Sequence, residues 1–259
     1  MKRKERLDRL LVERGFVSSR EKAQAAILAG QVLVKGQVVA KPHALIGPEV
    51  EVALKAEEPY VSRGGLKLKG ALETFGIKVE GRICLDVGAS TGGFTDCLLQ
   101  EGAGRVYAVD VGYGQLHHRL RQDPRVVVLE RTNIRYLPPE RLPERPSLAT
   151  IDVSFISLRL VLPPVVALLQ DPVEIVALVK PQFEVGKGQV ERGGVVKDPG
   201  KHRAVLLQVG KRAEALGLRV LGVIPSPLLG PKGNREFLVH LSREGASRPL
   251  EELVEEAVG

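Results

Sequence analysis

Leu85-Asp86-Val87-Gly88-Ala89-Ser90-Thr91-Gly92-Gly93-Phe94 is the stretch that decides the fold of this chain. An apolar run over 82–87 stops at the first of three glycines, and helical periodicity follows the last. The pattern predicts a strand, a loop and a helix in direct succession. Glycines at such a turn let a ligand approach the backbone closely, and the helix amino terminus then faces it. A dinucleotide fold favours G-x-G-x-x-G, shaped for a pyrophosphate. Here the spacing is G-x-x-x-G-G, and an acid, Asp86, lies two positions before the first glycine. This suits a ligand without a pyrophosphate and with a cationic part. S-adenosylmethionine, with its sulfonium and ammonium, has that chemistry. The next strand ends at Asp110, about twenty residues past the glycines, where an acid can accept both ribose hydroxyls. Either feature alone reads equally well as an ordinary glycine turn or strand-end acid; the pairing favours the ligand.

Outward from this loop, strands and helices alternate. Helices are expected at 65–75, 92–101, 114–121, 156–169 and 199–216. Strands are expected at 82–87, 105–109, 125–129, 148–152, 173–179, 218–224 and 236–241. Continuous apolar runs such as ICLDV and IVALV suit strands covered on both faces. The expectation is a doubly wound, Rossmann-like α/β domain with a mostly parallel sheet, spanning 60–259.

Residues 1–59 follow a different pattern. ERLDRLLVER predicts a helix over 5–14, and Ser18 or Ser19 can cap a second one that Gly30 stops. Lys35-Gly36 between two β-branched runs reads as a hairpin turn, and Val50, Val52 and Leu54 alternate in a last strand. This is a small α+β module, with Glu57-Glu58-Pro59 as its exit linker. The chain carries a formal charge of +7. Residues 1–41 hold ten Lys/Arg and four Asp/Glu, so +6 of the charge sits in that stretch and +1 in the rest of the chain. A basic end on a near-neutral body points to a polyanionic partner. Arg6, Arg9, Arg20, Lys22, Lys35 and Lys41 are the candidate phosphate contacts. Phe16 is the one aromatic residue in 1–59. Recognition of folded RNA by shape and backbone is therefore expected, without a base-stacking platform.

Four charged residues form a second constellation. Lys67 lies on the helix before the first strand, in SRGGLKLKGAL. Asp152 ends the fourth strand, Lys180 the fifth, and Glu236 begins the last. Ligands of open α/β sheets bind outside the carboxyl ends of the strands. The four residues read either as catalytic groups at that edge or as a structural ion-pair network at its rim.

Cys84 and Cys97 fall in apolar runs and read as free, buried thiols. No zinc spacing is present, and His117-His118 read as surface residues. MKRKERLDRL has charges where a signal peptide needs an apolar core, and no apolar run reaches membrane-spanning length. A cytoplasmic protein with no membrane partner and no metal, acting as a monomer, is expected. Arg131 and Asn133, after the third strand, can line an adenine pocket. The Gly-rich, charged stretch 184–201 reads either as a mobile lid or as a long connection. LEELVEEAV reads as an amphipathic helix packed on the domain.

The segments SRGGLKL, LDVGASTGGFTD, DVSFISL, LVKPQFE and GNREF together resemble the TlyA (haemolysin A-like) family of ribosomal RNA 2′-O-methyltransferases. The second domain resembles the FtsJ/RrmJ type of ribose methyltransferase, and the front module the RNA-binding domain named for ribosomal protein S-four. The resemblance implies that S-adenosylmethionine donates a methyl group to a cytidine 2′-hydroxyl of ribosomal RNA, free or in ribosomal subunits, leaving S-adenosylhomocysteine. It implies a Lys-Asp-Lys-Glu tetrad at Lys67, Asp152, Lys180 and Glu236. Lys180, close to the Lys67 ammonium, would act in its neutral form as general base. Lys67 and Glu236 would hold the hydroxyl in line, and Asp152 would orient Lys180 near the donor. Donor contacts would come from Asp86, Gly88, Ser90, Gly92, Gly93, Phe94, Asp110, Asn133 and Asp152. A non-catalytic RNA-binding protein is disfavoured by the intact tetrad, a pore-forming haemolysin by the lack of a membrane segment. A pseudouridine synthase is disfavoured by the strand-glycine-helix start of the second domain.

Overall fold

The computed structural model describes residues 4–55, 58–186, 188–191 and 193–259. The chain divides into two compact units, Met1–Glu57 and Glu58–Gly259. Glu57 of the expected linker lies outside the described residues.

The first unit runs β1 (Glu5–Arg6), α1 (Leu7–Glu13), α2 (Arg20–Leu28), β2 (Val32–Val34), β3 (Gln37–Val38), β4 (Leu45–Ile46) and β5 (Val52–Leu54). Leu7, Leu10 and Leu11 of α1 pack on Ala23 and Ile27 of α2 and on Val32 and Val52 of the strands. Ser19 caps α2, its hydroxyl accepting from the Lys22 N–H. Lys35 (φ 51°) and Gly36 (φ 75°) turn β2 into β3, the left-handed pair that a tight hairpin requires. The first helix starts two residues later than its periodicity suggests. Glu5 and Arg6 pair instead with Ile46 and Leu45. The Leu7 and Asp8 N–H groups donate to the carbonyls of Ala44 and Pro42, which satisfies donors that a free helix start leaves open. Val50 lies just outside β5.

The second unit runs α3 (Gly64–Phe75), β6 (Ile83–Val87), α4 (Gly93–Gln100), β7 (Arg105–Val109), α5 (His118–Arg121), β8 (Val126–Leu129), β9 (Leu148–Ile151), α6 (Leu158–Leu168), β10 (Glu174–Val179), α7 (Pro181–Glu184), α8 (Pro199–Glu214), β11 (Arg219–Pro225), β12 (Phe237–Ser242) and α9 (Leu250–Val258). Seven strands form one sheet in the order β11-β12-β10-β9-β6-β7-β8. Strands β6 to β10 are parallel to their neighbours in this group, and β12 runs antiparallel to both β10 and β11. The strand order reverses between β6 and β9, the point where doubly wound sheets open a crevice. Residues of α3 and α4 cover one face of the sheet; residues of α6, α8 and α9 cover the other. Burial on both faces explains the unbroken apolar run Ile175–Val179 of β10 and the near-continuous burial of β9 and β12.

Expected and observed elements differ in places. The helix expected over 114–121 occupies only its last turn, because Gly114 takes φ +71° and His117 caps the turn. Helix α6 keeps Pro163 and Pro164 in its interior. Proline costs a helical hydrogen bond there, and burial of Leu158, Val161, Leu162, Val165, Val166 and Leu168 offsets it. Of the stretch 184–201, Glu184 ends α7 and Pro199–Lys201 begin α8; between them the Glu191 N–H donates to the Val195 carbonyl. Val196 is tied at both ends of its residue: its N–H donates to Asn234 Oδ1 and its carbonyl meets His202 Nε2. Lys187 and Arg192 of that stretch lie outside the described residues. Helix α9 buries Leu250, Leu253, Val254, Ala257 and Val258.

Candidate active site

The sheet register brings the site together. Val87 lies beside Ile151, so Gly88 and Asp152 emerge side by side at the switch point. Val179 faces Phe237, so Lys180 and Glu236 are the next pair outward. Because β12 is antiparallel, its start shares an edge with the ends of the parallel strands. Lys67 reaches the same edge from α3.

Two adjoining cavities open there. The first, about 470 Å³, is lined by Gly88, Ser90, Asp110, Asn133, Asp152 and Phe155 among others. The second, about 290 Å³, holds Lys67, Asp152, Lys180 and Glu236, together with Gly93 and Phe94. Gly88, Ser90, Asp152 and Ser154 line both and form the wall between them.

Two ion pairs organise the second cavity. Lys67 Nζ lies 2.6 Å from Glu236 Oε2, both largely buried. Lys180 Nζ lies 2.6 Å from Asp152 Oδ1 and donates to Ser154 Oγ at 3.0 Å. Each lysine faces a carboxylate, and both lysines line the same cavity. Glu236 Oε1 is buried without a hydrogen-bond partner among the described residues, so it has a free acceptor.

The donor loop is built differently from its first reading. A Cβ on Gly88 (φ +85°) would lie 2.4 Å from the Asp152 carbonyl oxygen. One on Gly92 would meet Leu120, and one on Gly93 would meet Ser62. The glycines thus let the chain pack against itself, and Gly92 lines neither cavity. Asp86 does not touch the cavities either. It is fully buried and accepts from Thr95 Oγ1 at 2.6 Å and Thr150 Oγ1 at 3.2 Å. Burial pushes its carboxyl up to about 7, against the opposing pull of the two hydroxyls. Its work is to join β6, α4 and β9 beneath the loop. Asp110 accepts from the Ser90 N–H at 2.8 Å and the Gly112 N–H at 2.6 Å. Each oxygen keeps a further lone pair for a ligand. Asn133 lines the first cavity, whereas Arg131 turns away and stacks over Tyr113 at 4.1 Å.

Three residues at the edge were not singled out in the sequence. Ser62 lines the reaction cavity, and Ser154 holds Lys180. Phe155 is 91% exposed at the mouth of the first cavity, with a left-handed φ of 63° and its ring 4.9 Å from that of Phe183. Ser154 and Phe155 follow the strand-end acid in DVSF and Ser62 opens SRGG, which are the signals that mark them; the backbone strain at Phe155 leaves no trace in sequence.

In the first unit, Arg9, Lys22, Lys35 and Lys41 are exposed. Arg6 and Arg20 are committed to Asp8, with contacts of 3.0 and 2.9 Å, and Gln24 adds a third donor. Burial acts to raise the Asp8 carboxyl, but these donors outweigh it and hold it well below the usual carboxylate range. The His117 and His118 rings lie 4.4 Å apart, and the described residues contain no cluster of three or more metal-ligating side chains. Cys84 and Cys97 are buried free thiols. No helix of the described residues is long and apolar enough to cross a membrane.

A doubly wound sheet with an antiparallel β12, a glycine loop at its switch point and a charged cluster beside it defines a class: Rossmann-like methyltransferases. The chain belongs to the FtsJ-like methyltransferase family, whose model matches residues 60–243, and within it is TlyA-like. An S4 domain matches residues 5–52. The chain is 50% identical over 264 residues to the 16S/23S rRNA (cytidine-2′-O)-methyltransferase TlyA of Mycobacterium tuberculosis, covering 100% of this chain and 98% of that one. It is 43% identical over 238 residues to Hemolysin A of Brachyspira hyodysenteriae, covering 91% and 98%. A solved Streptococcus thermophilus structure with a provisional hemolysin name superposes with a TM-score of 0.74 at 45% identity, covering 99% of this chain and 96% of that one.

Proposed function

We propose that this protein transfers a methyl group from S-adenosylmethionine to the 2′-hydroxyl of a cytidine in ribosomal RNA. The observation that carries the reading is the shared wall: Asp152 lines a cavity of cofactor size and also holds Lys180 in the adjoining cleft. The first cavity falls within the usual range for small-molecule sites. Its donor set fits the methyl donor: the Asp110 carboxylate for ribose hydroxyls, Asn133 for the base, and Asp152 facing the cationic end. When bound, the donor supplies an electrophilic methyl group on sulfonium.

The chain's own residues do the rest. Glu236 Oε1, the unpaired acceptor, takes a hydrogen bond from the substrate ribose, while Lys67 fixes the Glu236 carboxylate. Lys180, held by Asp152 and Ser154, must first release the proton that its pairing with Asp152 favours, and then takes the 2′-hydroxyl proton as the oxygen attacks. Positioning contributes most of the acceleration. The enzyme acts as a monomer in this reading. The module through residue 59 supplies RNA affinity, and the domain from 60 onward supplies chemistry. Such an enzyme works in the cytoplasm with ribosomal RNA or subunits, needing no membrane or metal.

The test is labelled-methyl transfer onto each ribosomal subunit from a strain lacking the gene, followed by mapping of the ribose mark. A 2′-O-methylcytidine is expected. Lys180→Ala is expected to lower the single-turnover rate about a hundredfold or more with donor binding intact. Near-full transfer by that variant would overturn the assignment of Lys180.

A further inference from the structure

The largest cavity among those described at the surface of the second unit is neither of these two. A groove of about 780 Å³ lies between α7, α8 and the start of α6. Arg159, Lys201 and Lys211 line it. So do two carboxylates, and both are already engaged. Glu184 accepts from Ser157 Oγ at 2.6 Å and from the Leu158 N–H at 2.7 Å; Asp198 accepts from the Gly200 N–H at 2.8 Å.

The placement of the cations is informative. Arg159 is the second residue of α6 and Lys201 the third of α8. A cation in the first turn of a helix opposes the macrodipole and costs stability. Folding alone does not favour these residues there, and their charge adds to that of the helix ends. The groove is also continuous with the reaction edge. Phe183 lines the groove, its ring touches that of Phe155, and Phe155 lines the donor cavity. Lys180 caps the single turn of α7 that carries Phe183, about 5 Å along the helix axis.

We infer that this groove holds the backbone of the substrate RNA strand adjoining the methylated nucleotide, with Arg159, Lys201 and Lys211 facing its phosphates. The inference rests on the proposed RNA methyl transfer and extends it to a second contact region. Aromatic rings at the mouth and cations beyond them are what a flexible single strand needs for a path away from the cleft.

The experiment compares wild type, Lys201→Gln/Lys211→Gln, and the triple variant that adds Arg159→Gln. Affinity for ribosomal RNA is measured across a salt series, alongside kcat, KM and calorimetric binding of S-adenosylmethionine. The triple variant is expected to raise KM about tenfold and leave kcat at saturating RNA and donor binding unchanged. Each lost phosphate contact flattens the plot of log affinity against log salt by about 0.7 for a single strand. The slope should therefore fall by about 2 in the triple variant and about 1.4 in the double. An unchanged slope and KM in variants that bind donor normally would overturn the groove as an RNA path. Absence of transfer by wild type would instead overturn the function on which it rests.

Discussion

Asp86 shows how far one residue can be read from its neighbours. Its position before the glycines marks it as a ligand acid, and the structure buries it under the loop with two threonine hydroxyls. Sequence spacing located the residue; the direction of its side chain depends on strand parity and on Thr150, sixty-four residues away. Its chemistry gives a pH prediction. The carboxyl is raised from its ordinary 3.8 to about 7. A raised acid contributes stability that is fully present below the unfolded-state value and lost as pH rises through the folded-state value. Wild type is thus expected to lose stability between pH 4 and pH 8 on account of this group. Asp86→Asn keeps an acceptor for the hydroxyls and removes the ionisation. Urea unfolding should show the variant gaining about 2 kcal/mol on wild type between pH 5 and pH 8. A difference that stays constant with pH would show that Asp86 ionises freely.

At the scale of elements, periodicity identified nearly every strand and helix of the second unit because both faces of its sheet are covered. What periodicity missed, in either unit, has identifiable causes. The pairing of Glu5–Arg6 with Leu45–Ile46 is a non-local contact with no apolar alternation to reveal it. The shortened α5 follows from a positive φ at Gly114. Three of the tetrad were legible as charges at strand termini and Lys67 as a helix residue, but the neighbours of the strand-end three are set by register: Val179 opposite Phe237, and Val87 beside Ile151. That junction makes a further prediction. Gly88 combines a left-handed φ with a backbone carbonyl 2.4 Å from where a Cβ would stand. Gly88→Ala must part the ends of β6 and β9, the wall that both cavities share. The expected result is a loss of about 2 kcal/mol in stability and at least tenfold weaker donor binding by calorimetry. A variant that binds the donor as well as wild type would mean that the wall does not set the cavity.

For the whole molecule, charge and chemistry are divided between the two units. The first 41 residues carry ten Lys/Arg against four Asp/Glu, and the second unit carries the buried lysine–carboxylate pairs. RNA affinity and donor affinity should therefore respond differently to salt. Phosphate contacts release counterions, so RNA binding weakens steeply as salt rises. The donor meets only partly buried groups, which are screened much less. Among the six front-unit candidates, Arg6 and Arg20 are poor probes, because removing either also uncovers the buried Asp8. Lys22, Lys35 and Lys41 are exposed, and no carboxylate pairs with them among the ion pairs described. Lys22→Gln/Lys35→Gln/Lys41→Gln should thus test RNA contact without a folding penalty. The triple variant is expected to bind RNA about tenfold more weakly, with a shallower salt dependence, and to keep wild-type donor affinity and kcat at saturating RNA. If its RNA affinity matches wild type across the salt series, the basic front surface is merely solvated. Affinity would then have to come from Arg6, Arg9, Arg20 or the second unit.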